Sequence, residues 1–231
     1  MSIESSFIKA FDLILLFDSS LFEIIILSLF VSFSAVIISC IISFPIGSFL
    51  AMKNFFGKEI VVVVINAFMG LPPVVVGLFL YLLFSTTGVL GYFQLLYSPI
   101  IMIIAQIIIV TPIVIGLTKE IIGDLFTEYD ELLTSLNATT TQKIQTLMWD
   151  ARFSLLTVAL AGLGRALAEV GAVIIVGGNI AHVTRVMTTT IAMETSKGDL
   201  SLALGLGIIL ISLSILINGS LYMLKKINNQ C

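Results

Sequence analysis

The chain has 231 residues, of which 58% are hydrophobic and only 11% charged, and its mean hydropathy is +1.17. A soluble domain carries about 45–50% apolar and about 25% charged residues, so this chain cannot clothe a water-facing surface; a bundle of about five transmembrane helices is expected. The net charge of -3 excludes little, because in a membrane protein the placement of Lys and Arg outweighs their sum, and Cys40 and Cys231 supply neither a disulfide framework nor metal-ligand spacing.

Residues 1–20 are expected to form an amphipathic helix lying in the membrane interface. Phe7, Ile8, Phe11, Ile14 and Leu15 recur at helical spacing, and Glu4, Lys9 and Asp12 argue against a cleaved secretory signal. A membrane domain follows over 21–224. A crossing helix needs roughly 20 mainly apolar residues. The first span is expected near 24–52, bracketed by Glu23 and Lys53, with Pro45 and Gly47 near its end. No charge interrupts Ile60 to Thr118, a run suited to two spans near 60–84 and 99–117, separated by Ser85-Thr86-Thr87-Gly88 and the Ser98-Pro99 turn signal. The fourth and fifth spans are placed near 153–176 and 200–224, before a tail at 225–231. Gly70-Leu71-Pro72-Pro73 and Thr111-Pro112 lie at membrane depth, where freed carbonyls must be sheltered by protein or line a wet cavity.

Basic residues divide unequally between the two ends. Lys53, Lys58, Lys119, Lys143, Arg152, Lys225 and Lys226 fall on one side, against Lys9, Arg185 and Lys197 on the other. That asymmetry places the first side in the cytoplasm, with the amino terminus outside and the carboxyl terminus inside.

The segment 119–152 is the long polar stretch. It holds Lys119, Glu120, Asp124, Glu128, Asp130, Glu131, Lys143, Asp150 and Arg152. A structureless loop of that length is unusual in a compact protein, so a helix, a break and a second helix are expected. Glu128, Asp130 and Glu131 suit a first turn, near the positive end of the helix dipole, ahead of a Leu132, Leu133 and Leu136 stripe. Asn137 tolerates the left-handed conformation that ends helices. Thr139 with Gln142 makes a capping box that opens a second helix carrying Ile144, Leu147 and Met148 on one face. The stripes suit a knob for a partner's groove, or packing back on their own spans; both readings stay open here.

The run Asp130-Glu131-Leu132-Leu133-Thr134-Ser135-Leu136-Asn137-Ala138-Thr139, with Ile144 and Leu147 after it, resembles the cytoplasmic coupling loop of bacterial ATP-binding cassette importer permeases. Asn137 stands where glycine is usual in that family, and Asp150 where proline is usual. Leu71-Pro72-Pro73-Val74-Val75-Val76-Gly77 and Gly164-Arg165-Ala166-Leu167-Ala168-Glu169-Val170-Gly171-Ala172 are similar to segments of molybdate, tungstate and sulfate permeases. Val176-Gly177-Gly178-Asn179-Ile180, Thr184-Arg185-Val186-Met187-Thr188-Thr189 and Glu194-Thr195-Ser196-Lys197-Gly198-Asp199 look most like the tungstate branch.

The resemblance implies an all-α, MetI-like integral membrane protein, a permease subunit moving tungstate or molybdate across the cytoplasmic (inner) membrane. It further implies a coupling loop using Asp130, Glu131, Leu132, Leu136, Asn137, Ala138, Ile144 and Leu147. Its partners by the same implication are a separate cytoplasmic ATPase, an extracytoplasmic tungstate- or molybdate-binding protein, a second copy of the chain and membrane lipid, but no nucleic acid.

Arg165 and Glu169 lie inside the fourth predicted span, where a charge at the bilayer centre costs about 2.5–3.5 kcal/mol on the insertion scale. Spaced i and i+4, they can pair. They suit a structural ion pair, or a gate on the translocation path in which Glu169 neutralises Arg165 so that a dianion is not trapped. Gly164, Ala168 and Ala172, and separately Gly162 and Ala166, make small-residue faces for close helix approach. In the outer loop 177–199, Arg185, Thr188 and Thr189 are candidates for the mouth, because cations and hydroxyls donate to tetrahedral oxyanions; ordinary helix caps are the alternative. His182 in the same loop points to no specific role.

No catalytic residue, metal site or cofactor is expected. Gly57-Lys58 is followed by Glu59 and lacks the upstream glycine of a phosphate-binding loop, and no Ser/His/Asp or Cys/His arrangement occurs. An ion-coupled carrier for a small anion is the alternative function. Such carriers show inverted repeats or several intramembrane carboxylates, whereas this sequence offers one such carboxylate and no clear repeat.

Overall fold

The structure is a computed structural model that describes residues 19–228, with side chains left out at 218, 221, 222 and 224–228. The interfacial helix expected over 1–20 therefore lies almost wholly outside the described residues. The helices are α1 (Ser19–Met52), α2 (Lys58–Met69), α3 (Pro73–Phe84), α4 (Pro99–Ser135), α5 (Thr140–Asp150), α6 (Arg152–Leu167), α7 (Gly171–Gly177), α8 (Met187–Lys197) and α9 (Leu200–Asn228). A short 3-10 turn, Gly91–Phe93, lies between α3 and α4. α1, α4 and α9 are each long and apolar enough to cross a membrane. α2 with α3, and α5 with α6, form bent pairs with angles of 97° and 75°.

The pairing of α1 with α4 forms the spine, the largest helix contact among the described residues. On α1 the buried face is small and hydroxylated: Ser28, Ser32, Ala35, Ser39, Ser43 and Gly47. The opposite face shows Phe22, Ile26, Phe30, Phe33, Ile37 and Ile41 to the outside. Lipid is as apolar as leucine, so large side chains gain nothing by turning inward, whereas small ones let backbones approach. Gly47 marks the closest approach, since a Cβ there would stand 2.8 Å from Thr118 Cβ and 2.9 Å from the Ile115 carbonyl oxygen. Gly47→Ala is expected to cost about 1–3 kcal/mol through overpacking, read as a lowered thermal midpoint in detergent.

Two predicted proline sites behave differently. Pro112 is buried within α4, and Ser43 of α1 donates to the Thr111 carbonyl at 3.2 Å while Thr111 donates to Ser39 at 3.3 Å. Hydroxyls of α1 thus pack against the turn that holds the proline, so protein and not lipid encloses it. The Gly70-Leu71-Pro72 break, by contrast, separates α2 from α3 within the second predicted span, and Gly70 and Pro72 are exposed on this chain. No residue of α2 is buried.

Three expectations from the sequence change. The third helix does not end near Leu117: α4 runs unbroken for 37 residues to Ser135. Lys119 and Glu120 mark a change of surroundings, and both residue types continue a helix readily. In consequence Glu128, Asp130 and Glu131 lie towards the carboxyl end of a long helix and not in a first turn. The fourth predicted span is also interrupted, at Ala168-Glu169-Val170, so Ala172 does not continue the face begun by Gly164 and Ala168. Gly162 does pack within the chain, its missing Cβ 3.2 Å from Val110, while Gly164 faces open space.

Candidate functional site

Two places gather the predicted site residues. The first is the tip formed by the end of α4 and by α5. Met52, Ile122, Leu133, Leu147, Ala151 and Leu155 form a buried cluster there, with Ile144, Met148 and Ala138 packed against it. The residues of the stripe divide between the inside and the outside of the tip. Leu133 and the α5 stripe pack inward, whereas Leu132 and Leu136 remain 55% and 67% exposed.

Local bonds make the tip rigid. Asn137 takes the left-handed conformation at φ 52, and the Ala138 N–H donates to the Leu133 carbonyl at 3.0 Å, closing α4. Thr139 and Gln142 form the expected capping box. Lys143 donates to Asp130 and to the Thr134 hydroxyl, each at 2.8 Å, tying α5 to the end of α4. Asn137→Gly is expected to leave the thermal midpoint nearly unchanged. Asn137→Val forces a β-branched residue into left-handed backbone and should cost about 1–2 kcal/mol on the same assay.

The second place is the α6–α7 break. Arg165 Nη1 donates to Glu169 Oε2 at 2.8 Å, and the Ala172 N–H donates to Glu169 Oε1 at 3.1 Å. One carboxylate therefore holds the charge of α6 and satisfies a free N–H at the start of α7. The Glu169 side chain is 2% exposed and that of Arg165 32%. Thr188 of α8 donates to the Glu169 carbonyl at 2.8 Å, and Gln106 of α4 donates to the Ala166 carbonyl at 3.1 Å. Met187 N–H donates to Ser28 at 2.7 Å, bringing α1 into the same seam. Ser28, Ser32, Gln106, Glu169 and Thr188 line a cavity of about 10 Å³ between these helices.

The expected mouth residues divide between buried and half-buried positions. Thr188 and Thr189 are buried, and the Thr189 hydroxyl donates to Asn179 Oδ1 at 2.9 Å, so both hydroxyls brace the loop that enters α8. Arg185 is half-buried, its Nε without a hydrogen-bond partner, beside a cavity of about 70 Å³ that His182 and Glu23 also line. His182 Nδ1 stands 2.7 Å from Glu23 Oε2. Gln106, Ser28 and Ser32 were missed in the sequence. Their signal was present, Gln106 being the only amide in the apolar run 99–117.

Residues 43–228 match the family of the binding-protein-dependent transport system inner membrane component. The chain belongs to this family. It is the membrane-embedded component of an ATP-binding cassette importer, a transport permease and not an enzyme. The permease is 39% identical to the tungstate uptake system permease protein TupB of Peptoclostridium acidaminophilum over 97% of this chain and 98% of that one. It is 36% identical to a probable anion ABC transporter permease protein of Haloferax volcanii, over 83% of this chain and 84% of the other. With the sulfate transport system permease protein CysT of Salmonella typhimurium it shares 26% identity, covering 86% and 74%. The tungstate branch thus stands closer than the sulfate permeases, as the motifs implied.

Gly47 abuts Thr118, and Met52 shares a cluster with Ile122 and Ala151, so Lys53, Lys119 and Arg152 all lie towards one end of the bundle. From Lys119 to Ser135, α4 continues for about 24 Å at 1.5 Å per residue. The expected coupling loop is therefore a helical stalk with a capped tip.

Proposed function

We propose that the permease imports tungstate as one half of a homodimer, fed by an extracytoplasmic binding protein and driven by a separate cytoplasmic ATPase. The observation that carries this reading is the end-to-end similarity to a tungstate uptake permease. Molybdate, of the same charge and shape, is the closest competitor as substrate. The collection of Lys53, Lys58, Lys119, Lys143 and Arg152 at the stalk end supports a cytoplasmic location for that end.

The stalk tip is the proposed ATPase contact. Leu132 and Leu136 offer an apolar knob on a support held by the Asn137 turn, the Thr139 cap and the Asp130–Lys143 pair. From Gln106 to Ser135 one helix runs about 44 Å, long enough to carry a tilt at the tip to the centre of the bundle. There Gln106 holds the carbonyl of Ala166, the residue next to Arg165 in the Arg165–Glu169 pair. Movement of the ATPases would thus strain the α6–α7 break and alternate access past Arg165. In this scheme Glu169 keeps Arg165 from retaining the dianion, and Arg185 adds positive potential at the opposite end.

A second copy of the chain accounts for the exposed Gly70-Leu71-Pro72 break. Irregular backbone at membrane depth needs protein or water beside it, and this chain alone leaves the break uncovered. Proteoliposomes containing the permease, its ATPase and the binding protein should accumulate tungstate only with ATP. Excess tungstate should suppress uptake of labelled molybdate more strongly than the reverse. Tungstate uptake by the permease in the absence of any ATPase would defeat the reading.

A further inference from the structure

We infer that Trp149, Arg152 and Phe153 form a binding site for a phospholipid headgroup, which pins the α5–α6 elbow to the membrane surface. The elbow joins two helices of opposite character. α5 carries the polar run Thr140-Thr141-Gln142-Lys143, whereas α6 continues as Phe153-Ser154-Leu155-Leu156-Thr157-Val158 into the apolar bundle. The chain bends by 75° between them, at Ala151. Leu147, Ala151 and Leu155 are buried at this point, yet Trp149 is left 72% and Phe153 38% exposed. Packing of the elbow leaves most of Trp149 and part of Phe153 uncovered.

Arg152 organises them. Its guanidinium lies 5.2 Å from the centre of the Trp149 ring and 4.8 Å from that of Phe153, and Nη1 donates to the Trp149 carbonyl at 2.8 Å. Among the described residues, no carboxylate is within ion-pair distance of Arg152, including its exposed neighbour Asp150. Guanidinium has five N–H donors in a planar fork, so most remain available, and the two rings hold the fork in place at little entropic cost. A fork held in this way matches a phosphate diester.

The level of the site selects lipid as the occupant. Met52, the neighbour of Lys53, shares a buried cluster with Ala151, the neighbour of Arg152, and Phe55 and Phe56 just beyond Lys53 are exposed. Aromatic rings and basic side chains sharing one level are the signature of a membrane–water interface. The knob at Leu132 and Leu136 lies at the far end of the stalk from that level, which separates the proposed lipid contact from the proposed ATPase contact.

Trp149 is the only tryptophan in the chain, so its fluorescence reports this site directly. The permease is reconstituted in vesicles containing phosphatidylcholine and phosphatidylglycerol, one of the two brominated at a chosen acyl depth. Quenching should be strongest with bromine near the carbonyl end of the chain. Brominated phosphatidylglycerol should outcompete brominated phosphatidylcholine about fivefold, equivalent to about 1 kcal/mol for one juxtamembrane cation. Arg152→Gln should bring that ratio close to one and leave the depth profile in place; Arg152→Lys should retain part of the preference. The depth profile of the unaltered protein needs no variant, so misfolding of either substitution does not remove the test. Absent quenching, quenching strongest at the bilayer centre, or an unchanged lipid ratio in Arg152→Gln would each overturn the inference. So would loss of lipid quenching when the ATPase binds, measured against the Trp149→Phe complex as background, because a protein partner would then occupy the site.

Discussion

Replacing Leu136 by aspartate is expected to abolish ATP-driven tungstate uptake while leaving the permease folded. Leu136 is 67% exposed, next to the Asn137 turn, and makes no contribution to the cluster beneath it. The substitution therefore removes nothing from the folded chain. If the ATPase receives this side chain, the cost appears on docking. Burying a leucine is worth about 1.5–3 kcal/mol, and a carboxylate in its place must be desolvated without a partner. A fall of at least about tenfold in coupled uptake follows from a loss of about 1.4 kcal/mol or more. The ATPase should still hydrolyse ATP, no longer stimulated by loaded binding protein, and the thermal midpoint should stay unchanged. The control is Leu147→Asp. Leu147 is 1% exposed within the same tip, so that change should cost more than about 4 kcal/mol and be seen as loss of folded protein. Full coupling in Leu136→Asp would remove the tip from the proposed mechanism.

Glu169→Ala should be the most damaging single change at the bundle centre. It strips the partner from Arg165 and the acceptor from the Ala172 N–H in one step. Breaking a buried ion pair costs about 3–5 kcal/mol, and the one-third exposure of Arg165 places this case near the lower end. Glu169→Gln distinguishes structure from gating. Glutamine can still accept from Ala172 but cannot neutralise Arg165, so the variant should fold with a smaller loss. Under the proposed gate it should bind tungstate more tightly and turn over more slowly, KM and kcat falling together. If KM and kcat both match those of the unaltered protein, the pair is structural and nothing more.

At the tip, short-range chemistry was legible residue by residue. Asn137 and the Thr139–Gln142 box were readable because a left-handed turn and a cap depend on a few adjacent residues, and both occur where the pattern put them. The fate of the leucine stripe was not. Leu132, Leu133 and Leu136 are alike in sequence, and only the position of α5 and Met52 buries one and leaves two outside. Thr188 and Thr189 divide in the same way: the Thr189 hydroxyl meets Val186 three residues back, as a helix cap expected from spacing does, whereas Thr188 reaches the Glu169 carbonyl across the fold.

Sequence by itself determined the membrane class, the approximate count of spans, the family and the location of the stalk, because these follow from the total apolar length, the sparse charges and local motifs. Tertiary structure decided that the polar stretch begins as an extension of α4, that the fourth predicted span breaks at Glu169, and that α1 turns serines inward and phenylalanines outward. The physical reason is the solvent. In lipid, hydrophobicity shows that a helix is in the membrane but does not tell it which way to face, so small residues, hydroxyls and a single carboxylate settle the arrangement through contacts that exist only once the helices have met.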